Sequence, residues 1–314
     1  MRSRRIISLV GILASVAMLA TACGDSNKLD SSSNNTTSKA AKGSVVIGSA
    51  GFTEIQLMAE MYKLLLDKAG YTASIKVVQN REVYEPALEK GDVDVTPDYA
   101  ATMAEFLNVK KNGATAPLVA TNDKDETVAA LNKLAEPLGL KALTAADAVD
   151  QNAFAATKEA AASKGSKLSD WSGESIKLAA TEECPDRPFC KLGLEKTYGI
   201  KVTEVLPLGF GTAQVKAAVK DGKADLGLTG TTDATLADLG LVIIEDDKHL
   251  QLADNLVPVV GKDFKDDADL AAALNALADK LTTEDLANLN KKVDGERQKA
   301  ADVAKEFLTS KGLL

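Results

Sequence analysis

From residue 44 onward the apolar positions alternate between strand-like and helix-like spacing. Val45-Val46-Ile47 reads as a buried strand, and Gly48-Ser49-Ala50-Gly51-Phe52 supplies the small residues of a tight turn. Ile55, Met58, Met61 and Leu65 then recur at helical spacing, so a helix is expected over 54–69, closed by Gly70 and capped by Ser49 or Thr53. Residues 71–78 alternate as a second strand, and 79–82 form a polar turn. A short helix follows over 83–90, with Pro86 in its first turn and Gly91 after its end. Val93-Asp94-Val95-Thr96 is a third strand, followed directly by a Pro97-Asp98-Tyr99 turn and a helix over 100–107. This β-α-β-α-β order predicts a parallel sheet with a ligand crevice beyond the strand C-termini. The turns at Gly51-Phe52, 79–82 and 97–99 all fall on that edge.

After an amphipathic helix over 127–138, Asn152-Ala153-Phe154-Ala155-Ala156-Thr157 reads as a connecting strand into a second, similar unit. Strands are expected at 176–180, 201–206 and 224–228, with helices at 167–171, 191–198 and 213–220. The strand ends lead into the 184–190 loop, Leu208-Gly209-Phe210-Gly211-Thr212 and Thr229-Gly230-Thr231-Thr232-Asp233. Apolar runs at 241–245 and 256–260 follow, the second returning the chain to the first unit, and helices at 268–281, 283–291 and 296–311 close it. Two α/β lobes joined by connecting strands place a cleft between facing sheet edges, where small ligands bind and about which the lobes close.

The ends change the picture. Arg2, Arg4 and Arg5 precede an apolar run over 6–20, too short for a comfortable membrane span, and Ala20-Thr21-Ala22-Cys23 follows. Residues 1–22 read as a secretory signal resembling a bacterial lipobox, with Cys23 the lipidated first residue of the mature chain; the alternative is a plain signal peptide cleaved nearby. Residues 25–43 are rich in Ser, Asn, Thr and Lys and read as a flexible tether. The domains expected are therefore signal (1–22), lipidated tether (23–43), lobe one (44–147 plus 252–314) and lobe two (148–251).

Losing residues 1–22 removes three arginines and no acids, which takes the formal net charge from −8 to about −11. Such a surface repels nucleic acid and offers no polybasic membrane patch. Of the remaining cysteines, Cys184 and Cys190 flank two prolines in an exported chain, so a disulfide is expected, against free thiols or a metal pair. The single histidine, His249, reads as a surface residue, and no metal or other cofactor is expected. With no phosphate loop, no Gly-x-Ser-x-Gly elbow and no catalytic triad that avoids His249, the chain is expected not to be an enzyme.

Several segments in order carry a family resemblance: Ile47-Gly48-Ser49 with Phe52-Thr53-Glu54; Ala87-Leu88-Glu89-Lys90-Gly91-Asp92-Val93-Asp94; Pro97-Asp98-Tyr99; Asn152-Ala153-Phe154-Ala155; Gly193-Leu194-Glu195-Lys196-Thr197-Tyr198-Gly199; Ala224-Asp225-Leu226; and 241–248. Over about 45–314 the chain resembles the substrate-binding lipoproteins of ABC importers for osmoprotectants, of the glycine betaine/choline/carnitine type, with Asn80–Tyr84 and the cysteine loop closer to an actinobacterial branch. The resemblance implies a two-lobed periplasmic-binding-protein fold of type II. It also implies delivery of a small solute to a membrane permease, by a monomer held outside the cell membrane through its lipid. Family members hold a quaternary ammonium in a cage of aromatic rings, because a methylated cation donates no hydrogen bonds and is best held by π faces.

Aromatic residues are 4% of this chain, and Thr96 stands where family members often carry tyrosine, so the expected cage is thin. Its candidates are Phe52, Tyr99 and Phe210, with Tyr84 or Phe189 adding to them. Phe52 walls the cage or staples the turn from beneath; Tyr99 walls the cleft or covers the sheet. Arg81 pairs with a substrate carboxylate or with Glu82 or Glu85, and Arg187 carries the same ambiguity. Asp98 balances a cationic head group or caps the following helix, and Glu54 is read as a first-turn acid rather than a cation ligand. Ser49, Thr53, Thr231 and Asp233 complete the candidate contacts, Asp233 being otherwise the N-cap of a helix from Ala234. Tyr62, Tyr71 and Tyr198 are read as structural.

Overall fold

A computed structural model describes residues 42–252 and 254–314. Its strands are β1 (Ser44–Ser49), β2 (Thr72–Val77), β3 (Val95–Tyr99), β4 (Lys141–Ala142), β5 (Asn152–Thr157), β6 (Ser175–Ala180), β7 (Lys201–Pro207), β8 (Leu226–Gly230), β9 (Leu241–Ile244) and β10 (Leu256–Val260). They form two five-stranded sheets, ordered β2-β1-β3-β10-β4 and β7-β6-β8-β5-β9. In each sheet three strands run parallel and one antiparallel strand follows: β10 against β3 in the first, β5 against β8 in the second. The two lobes thus repeat one topology, and β10 reaches the first sheet only after the chain has built the second. Parallel order puts the C-termini of β1, β2 and β3 on one edge, and those of β6, β7 and β8 on one edge of the other sheet.

The helices are α1 (Thr53–Ala69), α2 (Arg81–Lys90), α3 (Ala100–Asn112), α4 (Lys124–Ala135), α5 (Lys158–Lys164), α6 (Lys191–Gly193), α7 (Ala213–Lys220), α8 (Ala268–Ala278), α9 (Thr283–Asn290) and α10 (Ala300–Ser310). α1 buries Ile55, Met58, Met61, Tyr62, Leu65 and Leu66 on one face, and Gly70 ends it in the left-handed conformation. The C-terminal helices α8, α9 and α10 pack against α1 and so complete the first lobe. None of the helices among the described residues is long and apolar enough to cross a membrane.

Several boundaries differ from the sequence pattern. Pro97, Asp98 and Tyr99 belong to β3 rather than to a turn, because β10 pairs along them and sets Pro97 opposite Pro258, where neither residue has an N–H to lose. α2 starts at Arg81, so Pro86 lies in its second turn rather than its first. The N-cap position of α1 is Phe52, which makes no capping bond. Ser49 instead donates to the Ala50 carbonyl, and Thr53 to Asp294 at 2.6 Å. Asp98 does not cap α3 across a turn; its carboxylate accepts from the adjacent Tyr99 N–H. Asp233 heads a turn rather than a helix: its carboxylate accepts from the Thr235 N–H at 3.1 Å and is also held by Lys216, Thr229 and the Thr235 hydroxyl. β5 lies within the second sheet, between β8 and β9.

Two segments carry the chain between the sheets, and they run side by side. Val149 and Asn255 form an antiparallel bridge, the Asp150 N–H donates to the Asp254 carbonyl at 3.2 Å, and the Leu256 N–H donates to Ala148 at 3.1 Å. Cys184 and Cys190 form a disulfide, Cα to Cα 5.3 Å. His249 is exposed, and no cluster of His, Cys, Asp and Glu fit for a metal occurs among the described residues. The segment expected to be a signal, lipidation site at Cys23 and tether lies almost wholly outside the described residues.

Candidate functional site

The strand ends of both sheets and the two crossing segments enclose a cavity of about 280 Å³. The first lobe contributes Ala50-Gly51-Phe52 after β1, Gln79-Asn80-Arg81 after β2, and Tyr84, Tyr99 and Thr102. The second contributes Thr181-Glu182-Glu183 after β6, Arg187 and Cys190 of the disulfide loop, Pro207 at the end of β7, Gly209 and Phe210 beyond it, and Leu228. Asp150, Asn152 and Asp254 come from the crossing segments and their continuation.

Four rings line this space. Phe52 stacks beside Tyr99 with centroids 6.4 Å apart and planes 15° off parallel, and meets Phe210 of the other lobe at 5.1 Å with planes tilted by 53°. Tyr84 lines the same cavity. Phe189 does not line it and is buried within the core. Phe52 and Phe210 also line a wider groove of about 720 Å³, so their contact stands between the two spaces.

Beneath the rings lies a buried polar frame. Arg81 Nε donates to both Asp98 oxygens at 3.2 Å, a second guanidinium nitrogen also holds Asp98, and Nη2 reaches Thr102 Oγ1 at 2.9 Å. The Tyr84 hydroxyl donates to Asp98 at 2.6 Å. The partner of Arg81 is therefore Asp98, not Glu82 or Glu85: Glu85 takes Lys110, and Glu82 takes Arg187 of the other lobe, with Nη2 2.9 Å from each oxygen. Asp98 is fully buried and does not line the cavity, so it acts on that space through Arg81 and Tyr84.

Glu54 sits in the first turn of α1, but its carboxylate is the hub of a contact between the lobes. It accepts from Tyr99 (2.6 Å), Asn290 (2.6 Å) and Thr232 of the second lobe (2.9 Å). Burial raises its pKa against these three donors. Asp150 accepts from Thr231 at 3.0 Å and from the Thr232 N–H at 2.9 Å. Its pKa lies well above the ordinary range, through burial first and the charge of Glu54 second. Asp254 accepts from the Thr102 N–H at 2.9 Å, and burial pushes its pKa up to about 7 although that bond and the Arg81 charge pull the other way.

Of the residues singled out from sequence, Phe52, Arg81, Tyr84, Tyr99, Arg187 and Phe210 come together on the cavity wall. Thr53 and Asp233 line the wider groove instead. Ser49 is buried beneath the turn, and Thr231 is exposed and reaches the cavity only by its bond to Asp150. Sequence reasoning missed Asp150 and Asp254. The available signal was two aspartates placed symmetrically where the chain leaves and re-enters the first lobe.

Two lobes of one topology, crossed twice by the chain and closed over a small cavity of aromatic rings and carboxylates, define a solute-binding protein of the type II periplasmic class. Residues 43–310 match the family model OpuAC, described as the substrate binding domain of ABC-type glycine betaine transport system. The chain belongs to that family, whose members bind small solutes outside the cytoplasm and deliver them to an ABC transporter. It is 25% identical over 287 residues to the glycine-betaine-binding protein of Pseudomonas aeruginosa, covering 85% of this chain and 88% of that one. The crystal structure of a glycine betaine/carnitine/choline ABC transporter shares the fold at a TM-score of 0.62 and 21% identity, over 86% of this chain and 98% of that one. Apo YehZ from Escherichia coli matches at 0.58 and 26%, over 86% and 99%.

Proposed function

We propose that this chain is a lipid-anchored extracytoplasmic receptor that captures a small quaternary-amine osmoprotectant, of the glycine betaine or choline kind, and hands it to the permease of an ABC importer. The observation that carries the reading is the row of Tyr99, Phe52 and Phe210, with Tyr84, around a cavity that also holds Asp150 and Asp254. Ring faces attract a methylated cation by about 0.5–2 kcal/mol each, and carboxylates add a field that needs no hydrogen bond from the solute. The two bodies that close are lobe one (44–147 plus 252–314) and lobe two (148–251), hinged where residues 148–150 and 254–256 run side by side. Cys23 carries the lipid that tethers the monomer to the outer face of the membrane, and the cleft captures its solute without turning it over.

A thermal-shift panel of glycine betaine, choline, carnitine, proline betaine, amino acids and sugars tests this. A ligand present at a hundred times its Kd stabilises the fold by about 2.7 kcal/mol, which raises the melting temperature by several degrees. At least one quaternary amine is expected to do so. A shift by an amino acid or sugar, with none from any quaternary amine, refutes the assignment.

Phe52→Ala removes the ring that contacts both Tyr99 and Phe210. It is expected to weaken binding of the quaternary amine about tenfold or more while the apo melting temperature falls by only a few degrees. Unchanged affinity in a titration calorimeter removes the ring row from the site.

A further inference from the structure

The charge on the cavity wall is uneven. Its lining residues bring four carboxylates, Asp150, Glu182, Glu183 and Asp254, against the two guanidiniums of Arg81 and Arg187. Both guanidiniums are already engaged. Arg81 is held by Asp98 behind the wall, and Arg187 bridges Glu82 at 2.9 Å and Glu183 at 3.1 Å. Asp150 and Asp254 differ from the other two acids. Each is more than nine-tenths buried, at 4% and 3% exposure, and among the described residues neither makes an ion pair within 4.0 Å. Their bonds come from Thr231 and the Thr232 N–H, and from the Thr102 N–H.

The backbone makes room for this arrangement. A Cβ at Gly230 would lie 2.4 Å from Asp150 Oδ2, so the strand end of β8 accommodates the carboxylate only because it has no side chain there. The wall also holds an unused acceptor: Asn80 Oδ1 is buried with no hydrogen-bond partner.

We propose that Asp150 and Asp254, one beside each crossing of the chain, are the specificity-determining residues of this cavity. They select a quaternary amine that carries net positive charge and a hydroxyl over a zwitterion of similar size. The inference rests on the quaternary-amine reading above and narrows it. A solute carboxylate entering this space would have to draw Arg81 from Asp98 or Arg187 from Glu82, and would leave a buried carboxylate unpaired. An ammonium with no carboxylate lowers the electrostatic cost of ionising Asp254 and Asp150 and disturbs neither pair. A hydroxyl on that solute gives Asn80 a donor, which glycine betaine lacks altogether. The groups that face Asp254 are Arg81, Asp98, Tyr99 and the Thr102 and Ala101 N–H groups; those that face Asp150 are Glu54, Tyr99, Thr231 and Thr232. Arg81 is the only cation in that set, and Asp98 already holds it.

Choline and glycine betaine share a trimethylammonium head and differ in bearing a hydroxyl or a carboxylate, so calorimetric titration of the purified protein with each at pH 7.5 isolates the effect. Choline is expected to bind at least tenfold more tightly. Asp254→Asn and Asp150→Asn, each checked for a cooperative melt, are each expected to weaken choline by tenfold or more and glycine betaine by less than threefold. Equal or tighter binding of glycine betaine by the unmodified protein overturns the inference and leaves the quaternary-amine reading standing. Equal losses for both ligands in both variants overturn it too. Failure of both ligands to bind, while a solute of another class does, refutes the quaternary-amine reading itself.

Discussion

Arg81→Ala is expected to lower the melting temperature by about 10 °C, the largest loss of stability anticipated from a change on the cavity wall. Asp98 is fully buried, and Arg81 is its only ion-pair partner among the described residues. Alanine leaves that carboxylate charged, buried and uncompensated, which costs about 3–5 kcal/mol. The Tyr84 hydroxyl and the Tyr99 N–H remain as donors but carry no net charge. The check is a second substitution: Asp98→Asn in the Arg81→Ala background removes the stranded charge and is expected to recover more than half of the loss. Thermal melts of the two single variants and the double variant decide the matter. If the double variant melts no higher than Arg81→Ala, the loss came from packing of the guanidinium stem and not from the ion pair.

Asp254→Asn is expected to act in the opposite direction on stability. In the folded protein burial pushes the Asp254 pKa up to about 7, against an ordinary value of 3.8. Between those values the folded chain keeps a proton that the unfolded chain has released. Stability therefore falls as pH rises through this window, and the full penalty is present above about pH 7. Asparagine keeps an oxygen for the Thr102 N–H and removes the ionisation. The variant is expected to be more stable than the parent by about 2–4 kcal/mol at pH 8, and the difference is expected to vanish near pH 4. Denaturant melts at the two pH values measure it. An equal effect at both pH values would show that the gain does not come from the buried charge. A stabilising change in a binding wall fits a common pattern: groups held unfavourably in the empty site are compensated when the solute arrives.

Most of the architecture was legible in the residue pattern, and the reasons are local. The helical spacing of Ile55, Met58, Met61 and Leu65 with Gly70 beyond them specifies α1, and β5, α7 and β10 fall on the residues the pattern indicated. What failed were boundaries set by neighbours. Pro97 reads as a turn until β10 is laid beside it, because only the cross-strand pairing shows that its missing N–H is not needed. The cap expected of Ser49 or Thr53 failed because each hydroxyl found a partner elsewhere, in Ala50 and in Asp294, the latter 241 residues away. The two-residue strand β4 carries too few residues for any periodicity to reveal it.

The site divides the same way. That Phe52, Arg81, Tyr84 and Tyr99 approach one edge follows from strand order and parallel pairing, both of which are written in the spacing of apolar runs. Their partners are not written there. Arg81 lies beside Glu82 and close to Glu85 in sequence, yet it pairs with Asp98, since α2 turns its guanidinium toward the end of β3 while Glu82 faces the other lobe. Glu54 sits where a helix dipole favours an acid, and only the approach of Thr232 and Asn290, 178 and 236 residues away, makes it a junction between lobes. By itself the sequence determined the two α/β units, the order of their strands, the paired cysteines and the ring types available to a cleft. The tertiary structure alone decided which charges are paired and which acids, Asp150 and Asp254, line the cavity with no ion pair within 4.0 Å among the described residues. Periodicity and turn chemistry act over a few residues, whereas the burial and pairing of a charge depend on groups that only the folded chain brings within a few ångströms.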